Sequence, residues 1–300
     1  MQNISEVLQL EHNHSVIRSL KRWLRSHYRA ILKTVLWSLV GLVVLVGFSS
    51  AVWLATWHGD IQLKIGRFYE NGSQLTPQNY TKAFAWYSQS AAKGDVSAQL
   101  KLAEMYSKGK GTHQDLNAAV AQYRTLADQG NSVAQYQLGM LSLSGQGVIQ
   151  NFESGLQWLE KSANKGNAEA AYKLGTLYGK GFGADADEQN ILSDTGAVYS
   201  SVKEGVSQNY SQSAHWYLKA ATLGHAEAQS ALGMLYFEGK GVKSNDFAAY
   251  ILEAIATVRG SVKAPIFRSQ VVAKLTQNQI MAAQPLIDNW AVGHPIIFTK

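Results

Sequence analysis

The chain has 300 residues, 46% hydrophobic and 16% charged, which is enough apolar surface to bury and too little charge for a disordered tail. Of its net charge of +6, +4 lies in residues 1–33, where Arg18, Lys21, Arg22, Arg25, Arg29 and Lys33 outweigh Glu6 and Glu11. The remainder is close to neutral, which argues against a nucleic-acid partner, and the absence of cysteine excludes disulfides, thiolate catalysis and cysteine-ligated zinc.

The first predicted element is a basic amphipathic segment over residues 1–33. Arg18, Arg22, Arg25 and Arg29 share one helical face, while Ile17, Leu20, Leu24, Tyr28 and Ile31 follow another. Such a segment suits anionic lipid headgroups, or simply sets membrane topology. Residues 34–57 follow without a charge, and a helix of that length reaches roughly 36 Å, enough to cross a bilayer core. Trp37, Trp53 and Trp57 lie near its ends, where interfacial rings belong. The basic flank precedes the span, so the positive-inside rule leaves the N-terminus in the cytoplasm and residues 58–300 outside it. The sequence therefore predicts a single-pass anchor in the inner (cytoplasmic) membrane. A cleaved signal peptide is the rival, with Ser49 and Ala51 as small residues at a cleavage site.

Beyond residue 60 the sequence repeats itself. Gly94, Gly130 and Gly166 are 36 residues apart, and Gly224 follows after 36 plus an insertion of 22, at about residues 182–205. Ala98, Ala134, Ala170 and Ala228 keep the same intervals. From each alanine the pattern runs to a leucine, a small residue, an aromatic and two spaced glycines, as in AQLKLAEMYSKGKG from Ala98 and AQSALGMLYFEGKG from Ala228. A second stretch follows, as in AFAWYSQSAAKG from Ala83 and SAHWYLKAATLG from Ser213. The leucine and aromatic stand four apart and share a helix face. The small residue (Gly66, Ala103, Gly139, Gly175, Gly233) admits a close partner helix, and Gly109/Gly111, Gly145/Gly147 and Gly239/Gly241 stand where the chain must turn back. Trp86, Trp158 and Trp216 are expected to head the buried face of the second helix, with Ala91, Ala163 and Ala220 beyond them. Helix pairs this short must stack on their neighbours.

This pattern resembles Sel1-like repeats, relatives of the tetratricopeptide repeat, over about residues 61–258. Departures occur: Gln122 and Leu252 stand in place of tryptophan, Ser142 in place of tyrosine, and Gln74 in place of a glycine. The resemblance implies an all-α, right-handed superhelical α/α solenoid of about five helix pairs. It extends over residues 58–258, with a C-terminal capping helix and tail over 259–300. It also implies a protein or peptide partner, with the first helix of each pair lining the concave side. The residues least needed for packing there are Arg67, Leu100, Glu104, Tyr136, Met140, Tyr172, Thr176, Ser230 and Met234.

Catalytic and cofactor chemistry finds no foothold. The glycine-lysine-glycine runs lack a preceding strand and a following Gly-Lys-Ser/Thr, so they are repeat turns rather than phosphate loops. The histidines have no ligand partner at helical spacing, and His225 reads as a solvated turn residue. No cofactor or metal is expected. The sequence thus predicts a membrane-anchored interaction scaffold outside the cytoplasm, acting in envelope assembly, secretion or signalling. The alternative is a cell-wall-directed hydrolase carried on a repeat scaffold.

Overall fold

The structure, a computed structural model, describes residues 61–73, 76–182 and 205–296. The chain divides into two units, Met1–Lys64 and Ile65–Lys300. Of the first, only residues 61–64 are described, so the predicted basic segment and the membrane span over 34–57 lie outside the described residues. Among the described residues no helix is long and apolar enough to cross a membrane.

The second unit is a run of antiparallel helices. A helix over 61–71 (α1) is followed by α2 (Tyr80–Ala92), α3 (Val96–Lys108), α4 (Leu116–Asp128), α5 (Ser132–Ser144), α6 (Phe152–Asn164) and α7 (Ala168–Lys180). Then come α8 (Tyr210–Thr222), α9 (Ala226–Glu238), α10 (Asp246–Val258), α11 (Ala264–Val272) and α12 (Gln277–Asp288). From α2 to α10 every helix has 13 residues. The uniform length comes from uniform punctuation. Asn79, Asp115, Asn151, Asn209 and Asn245 cap the second helices, and Asp95, Asn131 and Asn167 cap first helices, each accepting a backbone N–H three residues on.

Contacts run between sequence neighbours, as a stack of pairs requires, and are densest across the glycine loops that join α5 to α6, α7 to α8 and α9 to α10. Close approach within a pair is made at the small residue. A Cβ on Gly66 or Gly175 would collide with the ring of Tyr87 or Tyr217, and one on Gly139 would press on Leu159. Between pairs the close approach is at the second loop glycine. Gly111 has φ +72°, and a Cβ there would strike the Tyr80 carbonyl of the preceding pair. Gly147 stands against Leu116 and Gly241 against Tyr210 in the same way. This explains why the loop needs two glycines: the first ends the helix in left-handed conformation, and the second lets the next pair dock.

The tryptophan expectation holds for Trp216 and is corrected for Trp86 and Trp158. Trp216 is buried at 7% exposure, whereas Trp86 and Trp158 are only half-buried. The side chain that fills the slot beside the small residue is the next one along: Tyr87, Tyr123, Leu159 and Tyr217, all but Tyr217 fully classed among the buried core. Trp158 instead lies against the α3–α5 core with Lys161 4.1 Å from its ring centre.

The insertion begins and ends at one place. Phe182 and Val206 exchange backbone hydrogen bonds of 2.8 and 2.6 Å as an isolated antiparallel bridge, and both are buried. Extra residues 183–204 can therefore be added without separating α7 from α8, which remain a tight pair. These residues lie outside the described ones.

The C-terminal end also differs from the expected single capping helix. Gly260 has φ +89° like the earlier closing glycines, Ser261 Oγ accepts the Ala264 N–H at 3.3 Å, and Ala264 is fully buried. These features keep the 36-residue register, so α11 is the first helix of a further, degenerate pair. Its partner α12 starts with a capping box of Thr276 and Gln279. The tail returns to the stack through Gly293 N–H to Thr222 O at 2.7 Å and the buried Ile296.

Candidate functional site

The surface is hollowed where the first helices of the N-terminal pairs meet. A recess of about 320 Å3 lies between α1, α3, α4 and α5, and includes Arg67, Leu100, Lys101, Glu104, Tyr123, Val133 and Gln137. A second, of about 450 Å3, continues from it along α5 to Leu116, Met140 and Gln146, sharing Ser107, Lys108, Tyr123 and Gln137. The two form one groove across three pairs.

The groove has an apolar floor and a charged rim. Tyr123 is buried beneath it, and Val133 is 46% exposed along it. Along the rim runs a chain of ion pairs. Lys101 Nζ is 3.1 Å from Glu70 and 3.4 Å from Glu104, and Lys108 Nζ is 2.8 Å from Glu104. Burial would raise the Glu104 carboxyl, but the Lys108 hydrogen bond and the charges of Lys101 and Lys108 outweigh it, leaving Glu104 below its ordinary range. Lys101 is held above its ordinary range: burial pulls it down, and the Glu70 hydrogen bond and both carboxylates push it up further. Burial, reinforced by the Glu104 charge, raises the Tyr123 phenol. Arg67 is exposed and has no ion-pair partner among the described residues.

Of the residues expected on the concave side, Arg67, Leu100 and Glu104 meet in the first recess and Met140 in the second. Tyr136 is half-buried against the same core cluster as Met140. Farther along, Tyr172 is half-buried, stacked on His225 with ring centres 4.3 Å apart. Thr176 is half-buried, donating to Tyr172 O at 3.0 Å and accepting from the Tyr217 hydroxyl at 3.2 Å. Met234 is 40% exposed. Ser230 is not at the surface: it is 3% exposed, with its hydroxyl on the Glu253 carboxyl.

His225 is a correction too. It is the N-cap of α9, where other units use Asn or Asp; its Nδ1 accepts the Ala228 N–H at 3.2 Å and its Nε2 meets Glu169 at 3.1 Å. A ring nitrogen that accepts a backbone N–H is unprotonated, so Nε2 carries the proton and donates to Glu169. That hydrogen bond, against a smaller effect of burial, holds Glu169 below its ordinary range.

A family model describing the Sel1 repeat matches residues 61–95, 96–131, 132–167, 168–190, 201–225 and 226–252. The chain belongs to the Sel1 repeat family. The fourth and fifth matched segments are the two halves of one Sel1 unit, α7 and α8, parted by the insertion. Among solved structures, a Sel1 repeat protein from Oxalobacter formigenes is 24% identical, over 77% of this chain and 87% of that one, with a TM-score of 0.57. A protective antigen of uropathogenic Escherichia coli displaying an SLR fold is 27% identical, over 75% of this chain and 59% of that one, at TM-score 0.38. An immunity protein from Pseudomonas aeruginosa is 18% identical, over 77% and 80%, at 0.43. The first of these supports the Sel1 solenoid fold; the other two superpose too loosely to carry an argument. No curated protein matches the chain in sequence.

Lys101, Lys108, Tyr123, Val133 and Gln137 of the Sel1 groove were not singled out from sequence. A signal for two of them was present: Lys101 and Lys108 flank Glu104 at three and four residues on one helix, the spacing of paired charges.

Proposed function

We propose that the chain is a membrane-tethered docking scaffold whose Sel1 units hold a segment of another protein in the groove along α1, α3 and α5. The observation that carries this is the groove itself, with an apolar floor of Leu100, Tyr123 and Val133 and, at one end, the exposed guanidinium of Arg67, which has no ion-pair partner among the described residues. An apolar floor beside a charged rim is the make-up of a protein-docking surface. Within this reading residues 34–57 anchor the chain in the inner membrane. Arg18, Arg22, Arg25 and Arg29 lie on anionic headgroups, and the Sel1 units stand outside the cytoplasm, serving envelope assembly, secretion or signalling. The hydrolase alternative gains no support from the groove. A glycosidase acid needs a carboxyl raised toward neutrality, whereas Glu104 is lowered and bonded to two lysines.

The test has two parts. A reporter active only outside the cytoplasm, fused after Lys300, should be active and should fractionate with membranes; activity in the cytoplasm would overturn the topology. The full chain, extracted in detergent, should retain an envelope protein that an Arg67→Glu, Val133→Asp double variant of equal thermal stability loses. Equal retention by both would overturn the groove as the docking site.

A further inference from the structure

In the first four units the slot beside the small residue holds Tyr87, Tyr123, Leu159 or Tyr217. In the fifth it holds Glu253. This carboxyl is 0% exposed, on a helix whose neighbouring residues Ile251, Leu252 and Ile255 are buried in the α9–α12 core. It enters the space left by Gly233 so closely that a Cβ there would clash with Oε1. Both carboxyl oxygens lie on one hydroxyl, Ser230 Oγ, at 3.1 and 2.9 Å. Ser230 is itself a departure, because the same position is Leu100, Tyr136 or Tyr172 in the units before it. The serine and the glutamate therefore replace two large side chains with one polar pair.

A single hydroxyl has one proton to give. It can satisfy one oxygen of a carboxylate, and the other is then left in an apolar core without a donor. A neutral carboxylic acid satisfies both contacts, donating its own O–H to Oγ while its carbonyl accepts from Ser230. Among the described residues no cation is bonded to this carboxyl: at α10 itself Arg259 donates to Gly224 O and lies over the Trp290 ring, and Asp246 meets Lys274. The charged groups on the helices packed against α10 are Glu227 and Glu238 on α9, Lys263 and Arg268 at α11, and Asp288 on α12. Arg268 lies over the Tyr250 ring and bonds its hydroxyl, Asp288 bonds Gln284, and Glu238 pairs with Lys240. The charge that acts on Glu253 is Glu227, and it has the wrong sign.

We propose that the Ser230–Glu253 pair is a proton-operated latch that fastens the C-terminal cap to the solenoid. With its proton, Glu253 lets α10 pack tightly between α9, α11 and α12; without it, a bare carboxylate sits in the core and this end of the stack loosens. The direction of titration agrees. Burial pushes the carboxyl up to about 8, opposed by the Ser230 hydrogen bond and assisted by Glu227. The folded state thus holds this proton on the order of a thousandfold more tightly than an unfolded chain does. A group raised in this way contributes stability that is complete below its unfolded value and lost as the pH rises through the folded one, here between about 4.5 and about 8. The latch is independent of what the groove binds.

Amide hydrogen exchange on the full chain in detergent, corrected for intrinsic rates, tests it at pH 6 and pH 9. Residues 246–288 of the wild type should lose protection tenfold or more at the higher pH, relative to α3–α6 in the same molecule. Glu253→Gln should remove that loss, and so should Glu253→Leu, which copies the residue at Leu159 and decides the matter if the glutamine variant folds poorly. Equal pH responses of the two regions in the wild type would overturn the latch, as would a loss that persists in the substituted protein.

Discussion

Units four and five share their helix lengths but have opposite interiors. In unit four the slot beside Gly175 is filled by Tyr217, whose hydroxyl reaches Thr176 at 3.2 Å, and Tyr172 covers the approach. In unit five the slot beside Gly233 is filled by Glu253, and Ser230 stands where Tyr172 does. Both pairs keep 13-residue helices, a side-chain N-cap and a closing glycine near φ +88°. The comparison teaches that the Sel1 unit needs a side chain to occupy the slot but does not need that side chain to be apolar. Shape sets the fold, and the chemistry of the filler sets the conditions under which each unit is stable.

The largest expected effect is in unit four. Tyr217→Ala should lower stability by about 3–5 kcal/mol in chemical denaturation, because it empties the slot beside Gly175. An indifferent result would show that the slot is not what joins the pair. Next is the joint between pairs. Gly111→Ala forces a positive φ on alanine and pushes its Cβ onto the Tyr80 carbonyl, so a loss of about 2 kcal/mol or more is expected, concentrated in amide protection of α2 and α3. In unit five the sign reverses. Glu253→Leu should raise stability at pH 8 by about 1–3 kcal/mol, and the gain should shrink toward pH 5 as the native acid regains its proton. The smallest effect is at the cap between the two units. His225→Asn restores the capping residue of the other pairs but gives up the stack on Tyr172, so its midpoint should move by less than about 1 kcal/mol at neutral pH.

Much of this was legible in the sequence because the repeat supplies its own comparison. The 36-residue interval and the loop glycines followed from residues that recur, and so did the family; the Asn and Asp caps that set the helix limits were not picked out. The slot filler was harder. Trp86, Trp158 and Trp216 outweigh their neighbours in size, yet one step along a helix turns a side chain by about 100°, and that step decides that Tyr87, Leu159 and Tyr217 face the partner helix. Glu253 escaped notice because a lone glutamate in an apolar run reads as a surface residue until the register is carried to that position. The groove was only partly legible. Arg67, Glu104 and Gln137 lie more than 30 residues from one another in sequence, and only the stacking of three first helices brings them to one hollow. The C-terminal pair was hidden for another reason: α11 keeps the buried alanine but has Ser261 where α3, α5, α7 and α9 have Asn, Asp or His, and Arg268 and Ser269 in place of the leucine and glycine.

The central claim is that the groove along α1, α3 and α5 is where another protein docks. A photoreactive amino acid placed at Gln137, which lines both recesses, tests it most directly in cells when compared with the same probe at Glu160 on α6. The account predicts a discrete adduct from position 137 that disappears when Arg67→Glu and Val133→Asp are added, and none of the same mass from position 160. An adduct of equal yield from both positions, or one from 137 indifferent to those substitutions, would contradict it.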